Sequence, residues 1–231
     1  YAFLSRKKGL SKEEFHDYWR HPHGAYSRFV EGMATYCQNH QMDLPALDDR
    51  QRFYEGIPES RGVDLQATIA LLGAPVGDAY INPDAARFVD LDRITAIVVE
   101  EHVSAAPPAS LEKPDSLWSP DHAAIIFKLL QFSPPDSEAL WDDQPIAETA
   151  AALGALRYVS CEAVRHSPLG EPRYAKAREY WWPTLSRARA GIEAARDRWP
   201  VICPSSSEIL SVFVQSEYVR YSRQSPLSQE S

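Results

Sequence analysis

The chain has 231 residues, of which 44% are hydrophobic and 24% are charged, a composition typical of a globular protein with a packed core. Its formal net charge of −8 argues against binding to nucleic acid, which depends on Lys and Arg. No apolar run approaches the roughly 18 residues that a membrane helix needs, so we expect no membrane partner. The three cysteines follow no paired spacing, which favours a reducing, cytoplasmic compartment.

The first hundred residues predict alternating strands and helices. Residues 2–6 form an apolar strand, and Ser11 followed by Glu14 is a capping box that predicts a helix start. Pro22 interrupts this helix because it lacks an N–H. We expect further strands at 34–42, 62–71 and 94–102, a broken helix at 74–90 and a disordered insert at 43–61.

A shift of 122 positions aligns the chain with itself. Four identities then fall at structural landmarks: Ser11 on Ser133, Trp19 on Trp141, Gly32 on Gly154 and Tyr36 on Tyr158. In the second copy we expect strands at 123–130, 155–165, 173–182 and 208–219, and helices at 136–152 and 183–198. This pattern divides the chain into a first unit 1–103, a linker 104–121, a divergent second unit 122–221 and a disordered tail 222–231.

Both copies have the order βαββαβ, the ferredoxin-like motif, in which helices cover one face of an antiparallel sheet. The other face must be buried as well. We therefore expect an α+β fold in which the two sheets of one chain face each other around a cavity. Such a cavity suits a small, mostly apolar ligand. The assembly would be a monomeric barrel or a homodimer.

Residues 3–24 resemble the opening of EthD domains. They contain an apolar strand, a basic Gly-Leu-Ser turn, a Glu-Glu-Phe helix start, the pair Tyr18-Trp19 and, four residues after the Trp, His23. The Tyr-x-Gln-Asn-His pattern of residues 36–40 and the acidic, aromatic run at 179–182 resemble two further strands of that family.

The second copy departs from the family pattern. Pro145 stands where the first copy has His23, and Glu162 stands where it has His40. If these histidines matter, the barrel is asymmetric and holds at most one complete site.

The resemblance implies a dimeric α+β barrel. Relatives of that group include cofactor-free monooxygenases, polyketide cyclases and decarboxylases, and haem enzymes. The resemblance therefore favours a lyase or oxidoreductase that decarboxylates, dehydrates, cyclises or oxygenates a small hydrophobic cyclic or aromatic, polyketide-like compound without a cofactor. Two alternatives stay open: a haem-dependent enzyme of the same fold group and a non-catalytic small-molecule binding protein.

His23 is the first candidate for catalysis. A histidine titrates near neutral pH and can serve as a general acid or base. The alternative is a structural His bonded to a nearby carbonyl. A metal site at His21-Pro22-His23 is not expected, because no third ligand lies at suitable spacing.

Strand alternation places Tyr36, Gln38 and His40 on one face of their strand. We expect this polar face, with the equivalent Tyr158 and Glu162, to point into the space between the sheets. His40 and Glu162 would then share a proton as catalytic partners, while Tyr36 and Gln38 orient the substrate. The alternative is an exposed pair at the rim.

Aromatic side chains complete the candidate site. We expect Trp19, Tyr158, Tyr180 and Trp182 to contact an aromatic substrate. The recurrence of Trp19 at the repeat position also fits a core anchor. His16 is expected on the surface of the first helix.

Overall fold

The computed structural model describes residues 1–47, 53–72, 77–104, 125–135, 146–165, 167–203 and 209–221. The described residues form nine strands: β1 (Ala2–Phe3), β2 (Thr35–Gln41), β3 (Gly56–Arg61), β4 (Thr95–Ala96), β5 (Val99–Ser104), β6 (Ile125–Ser133), β7 (Arg157–Ala163), β8 (Lys176–Trp182) and β9 (Leu210–Tyr221). The α-helices are α1 (Lys12–Tyr18), α2 (Leu65–Leu71), α3 (Asn82–Ala85), α4 (Ile146–Ala152), α5 (Leu185–Ala194) and α6 (Trp199–Ile202). Among the described residues, no helix has the length and apolarity needed to cross a membrane.

Seven strands form one antiparallel sheet in the order β3-β2-β9-β6-β8-β7-β5. A short ladder of β1 and β4 joins its two outer strands. Leu4, directly after β1, bridges to Gly56 of β3, and β4 continues into β5 after only Ile97 and Val98. The strands therefore surround one common interior.

Each half of the chain has the strand order of a ferredoxin-like unit. The second half runs β9-β6-β8-β7, and in the first half β4 pairs with β1, β1 bridges to β3, and β3 pairs with β2. The halves meet twice, through β2 with β9 and through β5 with β7. The fold is the expected α+β class, with two fused ferredoxin-like units forming an intramolecular α+β barrel.

The first helix begins and ends for identifiable reasons. The Ser11 hydroxyl accepts from the Glu14 N–H at 3.1 Å, and the Glu14 carboxylate accepts from the Ser11 N–H at 2.7 Å, which is the predicted capping box. Pro22 cannot donate an intrahelical hydrogen bond, and the chain widens there into a π-helical turn, Trp19–His23. A 3-10 turn, Gly24–Phe29, leads to β2.

The predicted strand at 62–71 is wrong. Asp64 caps a helix there, its side chain accepting from the Ala67 N–H at 2.7 Å, and α2 follows. The strand of this unit is β3, which lies inside the predicted disordered insert. Gly56 and Pro58 are residues typical of turns. However, β3 is an outermost strand of the seven-stranded sheet, and Pro is tolerated in such a strand. Gly56 is required because an added Cβ would lie 2.4 Å from the Trp19 ring.

The second unit follows the prediction closely. Strands β7, β8 and β9 and helix α5 lie where the pattern places them. Helix α5 begins at Leu185, two residues after Pro183, because the Thr184 side chain accepts from the Arg187 N–H at 3.2 Å. Residues 136–145 of the predicted helix, Trp141, the linker beyond Ser104 and the tail lie outside the described residues.

The barrel interior contains ions as well as apolar side chains. Lys128 is fully buried, with its Nζ 2.8 Å from Glu59 and 3.2 Å from Glu179. Arg61 binds Glu59 at 2.7 Å and contacts Glu101 as well. The apolar side chains around them include Phe3, Ile57, Leu130, Phe132, Val159, Trp181 and Val212.

Candidate active site

Strand β2 presents Tyr36, Gln38 and His40 to the helical layer and not to the barrel interior. The Trp19 indole donates to the Tyr36 hydroxyl at 3.0 Å, and the Gln38 amide donates to the Trp19 carbonyl at 2.8 Å. The alternation grouped the three residues correctly, but the prediction that they point between the sheets is wrong. Polarity did not identify the inner face, because Asn39 of the opposite face lies in an equally polar interior.

The site between helix and sheet contains a histidine–carboxylate pair. The π-helical turn ends at His23, whose Nδ1 lies 2.8 Å from Oδ2 of Asp84 in α3. The Tyr18 hydroxyl donates to the other oxygen of Asp84 at 2.8 Å. Three separate turns of helix thus fix the orientation of the His23 ring.

The environment of His23 keeps its ring neutral. Burial lowers its pKa below the ordinary 6.5, and the hydrogen bond and charge of Asp84 oppose this only in part. Asp84 accepts a hydrogen bond from Nδ1–H, which leaves the basic lone pair of the neutral imidazole on Nε2. The His23 ring also lies against aromatic rings, with centroids 4.9 Å from Phe88 and 6.2 Å from Tyr26.

A pair of histidines, His16 of α1 and His40 of β2, lies in the same layer between helix and sheet. Nδ1 of His16 and Nδ1 of His40 are 2.9 Å apart, so one donates and the other accepts. Burial lowers the pKa of His16 to about 4 and that of His40 to about 3. In the part of the chain that the structure describes, neither Nε2 has a hydrogen-bond partner.

Glu217 of β9 brings the second unit into this site. Its carboxylate accepts two hydrogen bonds from Arg20, each 2.8 Å long, and lies 3.9 Å from Nε2 of His40. Burial alone would raise the Glu217 pKa. Arg20 and His40 lower this pKa by a larger amount, so that the net shift is downward. The negative charge favours a proton on Nε2 of His40, in which case His16 donates through Nδ1 and keeps a lone pair on Nε2.

Residues 7–92 match the family model of the EthD domain. This match includes His16, Tyr18, His23, His40 and Asp84 and ends before Glu217.

No curated protein matches the chain. Among 21 matching chains of solved structures is a protein from Lactobacillus acidophilus NCFM described as a candidate monooxygenase. It is 8% identical, with a TM-score of 0.46 over 97% of this chain and 96% of that chain.

Four predicted site residues lie away from His16, His23 and His40. Glu162 is exposed on β7 and shares a strand face with Tyr158, so the expected pairing of His40 with Glu162 is wrong. Tyr158, Tyr180 and Trp182 pack in the helix-covered core of the second unit, where the Trp182 indole donates to the Leu153 carbonyl at 3.0 Å. Trp19 is fully buried, as a core anchor would be, and its ring lies 4.6 Å from His40.

His16, Asp84 and Glu217 are site residues that were not predicted from the sequence. A signal for His16 existed, because positions 16, 19 and 23 share one helix face at i, i+3 and i+7 spacing. Asp84 and Glu217 lie in distant elements and no local pattern marks them. Among the described residues, no group of three His, Cys, Asp or Glu side chains is placed to hold a metal ion.

Proposed function

We propose that the chain is an enzyme that moves protons on a small hydrophobic compound, cyclic or aromatic, with His23 as the general base. The observation that carries the proposal is the 2.8 Å contact between His23 and Asp84. A carboxylate that holds one ring nitrogen orients the other toward a substrate and stabilises the imidazolium that forms. The EthD domain supports the same class of chemistry.

The proton transfer needs only side chains of this chain. A C–H bond next to a substrate carbonyl breaks, its proton passes to Nε2 of His23, and its electron pair moves into the carbonyl as an enolate. The imidazolium then returns the proton to carbon or oxygen of the product. Dehydration and cyclisation begin with such a transfer, and decarboxylation shares only the return of a proton to carbon after CO₂ has left. Oxygenation of the carbanion would require dioxygen as a co-reactant. We propose no resident cofactor for the transfer.

The surroundings of His23 favour a flat apolar substrate. Phe88 is buried and Tyr26 is half-buried, and both rings lie beside the imidazole. Aromatic rings pack favourably on one another at such distances. His23 retains 11% of its side-chain exposure, so its ring lies close to solvent, and a ligand would bind against it without passing through the barrel.

The test is deuterium exchange of the α protons of 1-tetralone, a bicyclic aromatic ketone, followed by NMR in D₂O. We expect the protein to accelerate exchange and His23→Ala to lower the rate by about two orders of magnitude or more. His21→Ala is the matched control, because His21 is exposed on the same turn. Equal exchange by His23→Ala and the unaltered protein would contradict the proposal. Binding of the ketone without any exchange would also contradict it and would favour a binding protein.

A further inference from the structure

Arg157 is a buried cation with an incomplete set of partners. It lies at the start of β7, paired with Trp181 of β8, and only 5% of its side chain is exposed. Its Nε and Nη2 have no hydrogen-bond partner within the described chain. A buried charge without hydrogen bonds costs several kcal/mol, so a partner is expected at this position.

The two unpaired nitrogens form one edge of the guanidinium. Nε–H and Nη2–H point in the same direction, and such an edge can bind both oxygens of a carboxylate. The flat face of the group is already occupied, because the guanidinium carbon lies 4.7 Å from the centre of the Trp181 ring. The free edge is therefore held in a fixed orientation.

Glu101 lies beside this edge without binding it. Oε1 of Glu101 is 3.9 Å from Nη2 of Arg157, beyond hydrogen-bond distance, and it too has no partner among the described residues. One oxygen atom placed about 2.8 Å from both would bridge them with ordinary hydrogen-bond geometry. Glu101 keeps 18% of its side-chain exposure, but its Oε1 and the two Arg157 nitrogens are themselves buried, so a ligand oxygen must displace the side chains that cover them.

A neutral Glu101 would leave Arg157 as a buried cation without a charged partner. Glu59 and Glu179 lie against Lys128, and Glu59 also binds Arg61. Glu101 contacts Arg61, and its Oε1 lies 3.9 Å from Nη2 of Arg157 without a hydrogen bond. Burial, together with the charges of Glu179 and Glu59, raises the pKa of Glu101 despite Arg61 and Arg157, which favours a neutral carboxylic acid that can donate a hydrogen bond.

We propose that the free edge of Arg157 binds the carboxylate of a small organic acid, and that Glu101 donates a hydrogen bond to the same carboxylate. This site lies inside the barrel, whereas His23 and Asp84 lie in the helical layer outside it. It is independent of the proposed proton transfer. The ligand class is a monocarboxylate, because one bidentate edge and one carboxylic acid match two oxygens and one negative charge.

The test is calorimetric titration with sodium formate and sodium benzoate, with sodium chloride at equal ionic strength as the reference. We expect saturable binding of at least one carboxylate at one site. Arg157→Lys keeps the charge but loses the bidentate edge and should weaken binding by about tenfold or more. Arg196→Lys is the matched control, since Arg196 is exposed on the outer surface.

A second variant tests the role of Glu101 if Arg157→Lys does not fold. The affinity of the unaltered protein should fall as the pH rises through the raised pKa of Glu101, because an ionised Glu101 repels the ligand. Glu101→Gln keeps a neutral donor and should bind with little dependence on pH. The proposal is overturned if neither carboxylate binds saturably, if Arg157→Lys binds as tightly as the control, or if Glu101→Gln keeps the pH dependence of the unaltered protein.

Discussion

Nδ1 of His23 and Oδ2 of Asp84 lie 2.8 Å apart, although 61 positions separate the two residues in the chain. Asp84 fixes the tautomer, because a carboxylate only accepts hydrogen bonds and so requires the proton on Nδ1. In Asp84→Asn the amide can donate to Nδ1, which moves the ring proton to Nε2 and removes the basic lone pair. We expect the exchange rate to fall by about two orders of magnitude or more.

The pH profile separates this effect from a loss of structure. Asp84 raises the His23 pKa against the larger effect of burial, so its removal lowers that pKa further. The acid limb of the rate should therefore move to lower pH in Asp84→Asn while the plateau falls. Asp92→Asn, a change at an exposed position, is the control. A folded Asp84→Asn protein with full activity would rule out the dyad.

The His16–His40 pair predicts a loss of stability in mild acid. Both pKa values lie below the ordinary 6.5 in the folded state, at about 4 and about 3, so the unfolded chain binds more protons below pH 6.5. The stabilisation is complete above pH 6.5 and decreases as the pH falls. Each His should lower the free energy of unfolding by about 1.4 kcal/mol per pH unit at most.

Urea unfolding between pH 7 and pH 4.5 measures this slope. His40→Gln should flatten it by about 1.4 kcal/mol per pH unit, because one proton-binding group is removed from the unfolded chain. His102→Gln is the control, since His102 is exposed. If the slope in His40→Gln equals that of the unaltered protein, burial does not lower the pKa of His40 in the folded state.

The fold could be predicted further than the site. The capping box identified the start of α1, and apolar patterns identified the strands of the second unit, because those signals are local. The strand β3 was missed because Gly56 and Pro58 are typical of turns. Here Gly56 is needed for a different reason, the close approach of the Trp19 ring. The inner and outer faces of β2 could not be assigned from polarity, because both faces carry buried polar groups such as Asn39 and His40. Asp84 and Glu217 join the histidines only through tertiary contacts.

Gly56 is expected to tolerate no side chain. A Cβ there would lie 2.4 Å from one atom of the Trp19 ring, and that ring is fully buried. Gly56→Ala should therefore lower the free energy of unfolding by about 1 to 3 kcal/mol through overpacking. The control is Gly77→Ala, where an added Cβ meets nothing within 4 Å. Equal stability of the two variants in urea would mean that the close contact with Trp19 does not restrict this position.

Lys128 is expected to neutralise the centre of the barrel. Burial alone would lower its pKa, but Glu179 and Glu59 raise it above its usual value, which is the behaviour of a cation held between two carboxylates. Lys128→Met leaves both carboxylates buried beside an apolar side chain and should cost about 3 to 5 kcal/mol of unfolding free energy. The measurement is urea unfolding at pH 7, with Lys8→Met on the exposed surface as the control.

A double variant distinguishes lost charge balance from lost packing. Glu179→Gln removes one of the two carboxylates, so Lys128→Met/Glu179→Gln should recover about 1 kcal/mol or more relative to Lys128→Met. Neighbouring residues that interact are not additive, and the recovery measures their coupling. If the double variant is less stable than Lys128→Met by the full cost of Glu179→Gln alone, the two side chains are not coupled, and the stability of the interior depends on packing and not on its ion pairs.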